Sequence, residues 1–189
     1  MLRHLPNLIT ALRLVLVVPL CHLIATGRYE SALLVTAIAG FSDALDGYLA
    51  KRFGWTTWIG GMLDPIADKL MLMAAFVSLA FAGVLPIWMA VLVVGRDLAI
   101  VVGAIAYHNL VGRFDAEPSR ISKLTTVVQI VFVLAELLRL SQWIEVPAPL
   151  HQAMIGVVAL LTLASGVHYI GVWGARARHE VALRRKSKA

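Results

Sequence analysis

Thiols, paired histidines and surface charge are all scarce in this chain, and each scarcity closes off a class of protein. A single cysteine, Cys21, excludes a disulfide framework; inside an apolar run it reads as a small packing side chain. The histidines, His4, His22, His108, His151, His168 and His179, fall at no spacing that pairs two ligands on one helix face. They read as interfacial or packing residues. Charged residues make up 15% of the 189 positions and hydrophobic residues 60%, with a mean hydropathy of +0.82. A soluble domain of this length cannot hide that much apolar surface. No low-complexity segment or internal repeat is evident, and no small-residue cleavage site ends the first apolar run, which is expected to be a retained helix.

What the chain does have is long apolar runs approaching the roughly 20 residues that cross a bilayer. They predict an all-α membrane protein, a bundle of six transmembrane helices forming a single domain over residues 1–189. The expected spans are Leu8–Ala25, Ser31–Phe53, Trp58–Ala82, Leu85–Asn109, Ile121–Leu140 and Ala148–Trp173. Short connectors such as Thr26–Glu30 and Gly83-Val84 favour antiparallel neighbours. Trp55, Trp58, Trp88, Trp143 and Trp173 lie near span ends, as an interfacial aromatic belt requires.

The net charge of +6 invites a nucleic-acid reading, but the basic residues sit where membrane topology would put them. With the N-terminus in the cytoplasm, Arg3, Lys51, Arg52, Arg113, Arg120, Lys123 and a basic tail over about 174–189 share that side. Arg28 and Arg139 face out. The tail reads as a solvated anchor beside anionic headgroups, with membrane lipids and not nucleic acid as its partner. This orientation puts the ends of spans two and three at the cytoplasmic face.

Those ends carry the chemistry. Asp43, Asp46, Asp64 and Asp68 are four carboxylates within 26 residues of otherwise apolar helix. Spacings of three and four put each pair on one face of its own helix, and a turn around Gly54 lets the faces meet. Each intramembrane carboxylate costs at least ~2.5 kcal/mol on insertion scales, so four together need a compensating partner. Hard divalent cations supply it, since Mg²⁺ commonly takes a few protein carboxylates plus phosphate oxygens. Gly47 and Gly60, one turn away, permit close approach of a ligand or a neighbouring helix. Water-exposed interfacial caps are the weaker account of the aspartates, because intramembrane ionisable groups mark function by default.

Written as Asp-x2-Asp-Gly-x2-Ala-Lys-x8-Gly-x3-Asp-x3-Asp, this stretch resembles the signature of the CDP-alcohol phosphatidyltransferase family. All four aspartates and both glycines match in spacing, while Lys51 stands where the family pattern has arginine, with Arg52 directly after it. Lysine carries the charge but lacks the planar bidentate fork. Asn7-Leu-Ile-Thr10-Ala-Leu-Arg13 looks like the family's first-helix opening. Gly95-Arg96-Asp97, and Pro118-Ser-Arg120-Ile-Ser122-Lys123 followed by Gln129, look like the cardiolipin synthase branch. Phosphatidylglycerophosphate synthases share Leu63-Asp64-Pro65, Ala67-Asp68-Lys69 and the lysine-then-glutamine spacing.

The resemblance implies CDP-diacylglycerol as donor, a lipid or glycerol-type alcohol as acceptor, and CMP as leaving group. It implies two ions, Mg²⁺ or Mn²⁺, held by Asp43, Asp46, Asp64 and Asp68, with Asp68 as the base for the acceptor hydroxyl. Asn7, Thr10, Arg13, Gly47, Ala50, Lys51 and Gly60 are implied as donor contacts; Arg113, Arg120 and Lys123, flanking the fourth-to-fifth connector, are expected to hold the acceptor's anionic group by charge-assisted hydrogen bonds or to serve as positive-inside anchors, with a positional family match at Lys123. It further implies a bacterial inner-membrane enzyme, often a homodimer, with its site facing the cytoplasm. Phosphatidylglycerol is favoured as acceptor, with glycerol 3-phosphate as the alternative.

Residue chemistry alone adds three expectations. Arg96 and Asp97 are an adjacent opposite pair that can neutralise itself and pack inward in a structural or supporting role. Arg13 lies near enough to the cytoplasmic end to snorkel, and Lys69 balances charge beside Asp68. A divalent-cation transporter is the rival from another class; against it stands the expectation that no acid recurs towards the opposite face. A silent scaffold fits poorly, because it would gain from replacing intramembrane acids with apolar residues.

Overall fold

The computed structural model describes the backbone of residues 5–53, 58–111 and 119–186, and the side chains of residues 11–42, 66–103 and 119–171. Six α-helices and no strands occur among the described residues: α1 Leu5–Ala25, α2 Tyr29–Phe53, α3 Trp58–Phe81, α4 Ile87–Val111, α5 Arg120–Leu140 and α6 Ala148–Lys186. The six expected spans are all helical, each start agreeing within three residues.

One expected boundary is absent. Helical backbone continues through the basic tail to Lys186, making α6 39 residues long. At 1.5 Å per residue that is about 58 Å, well beyond a hydrocarbon core of about 30 Å. The cause is local: from Ala175 to Lys186 there is no glycine or proline, and alanine, arginine, leucine, glutamate and lysine are good helix formers.

Three turns use one hydrogen-bonding device. Past the end of α1, Gly27 takes φ +72°, its N–H reaches Ile24 O at 3.1 Å, and Arg28 N–H reaches Leu23 O at 2.8 Å. Gly83 (φ +74°) closes α3 in the same way, onto Ala80 O and Leu79 O. This satisfies the last orphan carbonyls while reversing the chain. Gln142 does it after α5 with φ 61°, without glycine's freedom. At the start of α5, Ser119 caps the helix by accepting the Ser122 N–H at 3.2 Å.

Helix α1 packs on α2 and α3, α3 on α4 and α5, α4 on α6, and α5 on α2 and α6. Leu20, Ile24, Met71, Phe76, Leu79, Met89, Val93, Phe132 and Leu137 form the centre of the apolar core. Phe76 and Phe132 stack with centroids 6.0 Å apart and join α3 to α5. Core and surface together invert the pattern of a water-soluble protein. Arg13, Arg96, Asp97, Gln129 and Glu136 are buried, whereas Val18, Phe41, Phe81, Leu160 and Val167 are exposed. By length and composition α5 and the Ala148–Gly171 part of α6 are each long and apolar enough to cross a membrane.

Candidate active site

Asp68 projects from the N-terminal half of α3 towards α1. Its Oδ1 accepts from Arg13 Nη1 at 2.5 Å, an ion pair between a guanidinium that is 3% exposed and a carboxylate that is 44% exposed. The expectation that Arg13 snorkels is therefore corrected: it points into the bundle, because a carboxylate one helix away compensates its charge better than a stretch to the interface would. Both residues stand at the polar end of a cavity of about 460 Å³ between α1, α2, α3 and α5. Thr36 also lines it, its hydroxyl donated back to Ala32 O at 2.8 Å, and the rest of the wall is apolar, with Leu20, Phe41, Met71, Leu72, Val133 and Leu134 among the lining residues. An ionisable group half open to solvent at the head of an apolar groove suits a molecule with a charged head and a greasy body.

Lys69 follows Asp68 in the chain but does not share its surroundings. Successive helical residues diverge by about 100°, so Lys69 turns to α4, where its Nζ donates to Asp97 Oδ1 at 2.8 Å. The same oxygen accepts from Arg96 Nη1 at 2.5 Å, so the expected inward-packing Arg96–Asp97 pair is present. The guanidinium does more than neutralise its neighbour. Its Nη2 donates to Ser122 Oγ on α5 at 2.7 Å and to Ser165 Oγ on α6 at 2.6 Å, with Nε also directed at Ser165 Oγ at 3.2 Å. Four helices thus meet in one buried polar junction.

From there a polar seam runs between α5 and α6. Thr125 Oγ1 donates to Ile121 O of its own helix at 2.8 Å and lies 3.2 Å from Leu161 O of α6, and Gln129 Nε2 donates to Thr162 Oγ1 at 3.0 Å. At the far end of α5, Glu136 is 1% exposed; it accepts from Arg139 at 2.5 and 3.2 Å and lies 3.0 Å from His151 Nε2 on α6, a contact not aligned as a hydrogen bond. The expectation that no acid recurs towards the opposite face is overturned here. Glu136 is tolerated because Arg139, one turn on, and His151 compensate it in place.

Of the sequence-derived site residues, Asp68 and Arg13 are brought together, while Arg120 and Lys123 are exposed on the first turn of α5, beside Ser122. The side chains of Asp43, Asp46 and Asp64, and of Asn7, Thr10, Gly47, Ala50, Lys51 and Gly60, lie outside the described residues, as do Arg113 and the turn around Gly54. Among the described residues no three potential ligands gather around a metal position. Sequence reasoning missed Ser165 and the Lys69–Asp97 bridge. It also missed the Glu136–His151 pair, whose only sequence trace is the Glu136/Arg139 spacing inside an apolar run.

Residues 3–173 match the family model described as CDP-alcohol phosphatidyltransferase. The chain is 38% identical over 176 residues to a protein named probable phosphatidylglycerophosphate synthase in two strains of Mycobacterium tuberculosis, an alignment covering 88% of this chain and 80% of that one. It is 31% identical over 182 residues to the probable cardiolipin synthase (CMP-forming) of Drosophila melanogaster, covering 87% of this chain and 56% of the fly protein. A rice chloroplast protein named CDP-diacylglycerol–glycerol-3-phosphate 3-phosphatidyltransferase 1 is 31% identical over 183 residues, covering 88% of this chain and 56% of its own length.

Proposed function

The chain belongs to the CDP-alcohol phosphatidyltransferase family and is an enzyme of that class, and from this premise we propose that it transfers the phosphatidyl group of CDP-diacylglycerol to a glycerol-type alcohol, releasing CMP. The observation that carries the reading is Asp68. It is the last aspartate of the motif, it stands half exposed at the mouth of an apolar cavity, and a buried arginine fixes its orientation. The cavity wall would take the apolar part of the donor, and the Asp68 carboxylate would receive the acceptor's hydroxyl proton.

Asp43, Asp46, Asp64 and Asp68 would hold two Mg²⁺ or Mn²⁺ ions. Oxygen-only ligands on two neighbouring helices suit such hard cations, and Asp68, a carboxylate that is 44% exposed, fits the ligand set. When bound, the ions would neutralise the donor diphosphate and favour departure of CMP. The chain's own groups would orient the partners: Arg120 and Lys123, exposed on the first turn of α5, would hold an anionic acceptor by charge-assisted hydrogen bonds. The six helices would all cross a bacterial inner membrane, with the aspartates and the N-terminus on the cytoplasmic side, in keeping with the apolar exterior and the distribution of lysine and arginine.

Phosphatidylglycerol is the favoured acceptor, yielding cardiolipin. Gly95-Arg96-Asp97 and the Pro118–Lys123 stretch with Ser122, which look like that branch, supply Arg96, Asp97 and Ser122 to the buried polar junction, while the spacing from Lys123 to Gln129 is common to both branches. Glycerol 3-phosphate is the second reading, and the mycobacterial relative's name and coverage support it. The test reconstitutes the full chain in liposomes with CDP-diacylglycerol and a divalent ion, supplies each acceptor separately, and identifies the lipid made. CMP release with cardiolipin as product is expected. Phosphatidylglycerophosphate instead would move the assignment to the second reading, and cation flux without CMP release would sink the enzyme reading.

A further inference from the structure

Arg96 has more partners than a buried arginine needs for neutrality. Asp97 alone cancels its charge, yet the guanidinium also engages Ser122 and Ser165, and Asp97 is shared with Lys69. Among the described residues the junction therefore holds two cations against one carboxylate. It uses nearly every donor direction of the guanidinium to tie α4 to α5 and α6, and Asp97 ties it to α3. A planar fork with fixed donor directions transmits position in a way that a flexible ammonium cannot.

The ends of this junction are the informative part. On α3 it stops at Lys69, next in the chain to Asp68. On α5 it stops at Ser122, next in the chain to Lys123 and two residues from Arg120. Ser119 secures that same first turn from the loop side by accepting the Ser122 N–H. So the turn bearing the two exposed cations is fixed at one corner by its cap and at another by Arg96.

We propose that Arg96 and Asp97 are positioning residues for the acceptor, setting the first turn of α5 at a fixed distance from the helix that carries Asp68. The inference rests on the transferase reading above. It makes no claim that Arg96 touches substrate. Its consequence is that loosening the junction impairs use of the acceptor while leaving the donor and its metal unaffected, since the polar groups assigned to those lie on the first three helices and α5 lends the donor cavity only Ile130, Val133 and Leu134, about two turns or more beyond Ser122.

The test uses the full-length chain in liposomes, with Ser122→Ala as the main variant, Ser122→Thr as the conservative control that keeps a hydroxyl, and Asp97→Asn as a second route into the junction. Losing a hydrogen bond to a charged group predicts an acceptor KM raised about tenfold for Ser122→Ala. The KM for CDP-diacylglycerol, the divalent-ion requirement and the thermal midpoint should hold. Ser122→Thr should restore the acceptor KM, and Asp97→Asn should raise it with the donor KM unchanged, its thermal midpoint falling because Arg96 loses a buried counter-charge. An unchanged acceptor KM in both Ser122→Ala and Asp97→Asn overturns the positioning role. So does a parallel rise in donor and acceptor KM with a lowered thermal midpoint, which marks a purely structural junction. Wild-type chain that releases no CMP with either acceptor would instead overturn the transferase reading itself.

Discussion

Two ion clusters meet α5 and α6 at opposite ends of α5, and they are built on opposite principles. At one end of α5, Asp97 gathers Lys69 and Arg96, and Arg96 reaches on to two more helices; Asp97 is 4% exposed and Lys69 33%. At the other end, fourteen residues and about 21 Å along α5 from Ser122, Glu136 takes its counter-charge from Arg139 in its own helix, with His151 alongside. The second cluster is closed: an acid, a base one turn away, and a neighbour. Among the described residues the first sets two cations against one carboxylate, and its outer members Lys69 and Ser122 are next in the chain to Asp68 and Lys123. A cluster that only holds helices together has no reason to leave charge over, whereas one beside a site for anionic substrates does.

The largest effect that would sharpen this contrast is at Asp68. Asp68→Asn keeps the side chain's size and its ability to accept from Arg13, but removes the proton acceptor and one negative charge from the expected ligand set. Turnover should fall to background while CDP-diacylglycerol still binds, measured as CMP release against equilibrium donor binding in the same vesicles. Wild-type turnover in the purified variant would reject Asp68 as the base.

Next in size is the closed cluster, and there the prediction is about stability. Among the described residues, Arg139→Ala leaves the Glu136 carboxylate, 1% exposed, with His151 as its remaining ionisable partner. Removing one member of a buried pair typically costs about 3 kcal/mol or more. Thermal inactivation should shift down markedly, while both KM values of the surviving enzyme stay put. A changed acceptor KM with unchanged stability would erase the distinction between the two clusters and return this end of the bundle to the list of functional sites.

How much of this could be read in the sequence follows the range of the interactions. The helices were legible because each is a long apolar run punctuated by a turn signal, as at Gly27 and Gly83. Arg96–Asp97 was legible because its partners are adjacent in the chain. Lys69 was misleading for the same reason: adjacency to Asp68 suggests a pair, yet the helical turn sends the two side chains to different neighbours, Asp97 and Arg13. Ser122 and Ser165 are separated by 43 residues and chemically ordinary, so nothing local marks them as two ends of one guanidinium's grip. Glu136 and His151 lie on different helices, and pairing them requires knowing that α5 and α6 run antiparallel.

The smallest predicted effect concerns the seam joining the two clusters. Thr162 Oγ1 donates to Val158 O at 2.7 Å, so it can only accept from Gln129, which fixes the amide with Nε2 towards Thr162 and leaves Oε1 buried with no hydrogen-bond partner among the described residues. Gln129 therefore gains one hydrogen bond and forfeits another. Side-chain hydrogen bonds between membrane helices average only about 0.6 kcal/mol, and removing a half-satisfied buried amide can be neutral. Gln129→Leu should shift thermal stability by less than about 1 kcal/mol in either direction and leave both KM values unchanged. A large loss of activity without unfolding would mean that Oε1 meets a ligand during turnover, and the seam would then belong with the open cluster and not with the closed one.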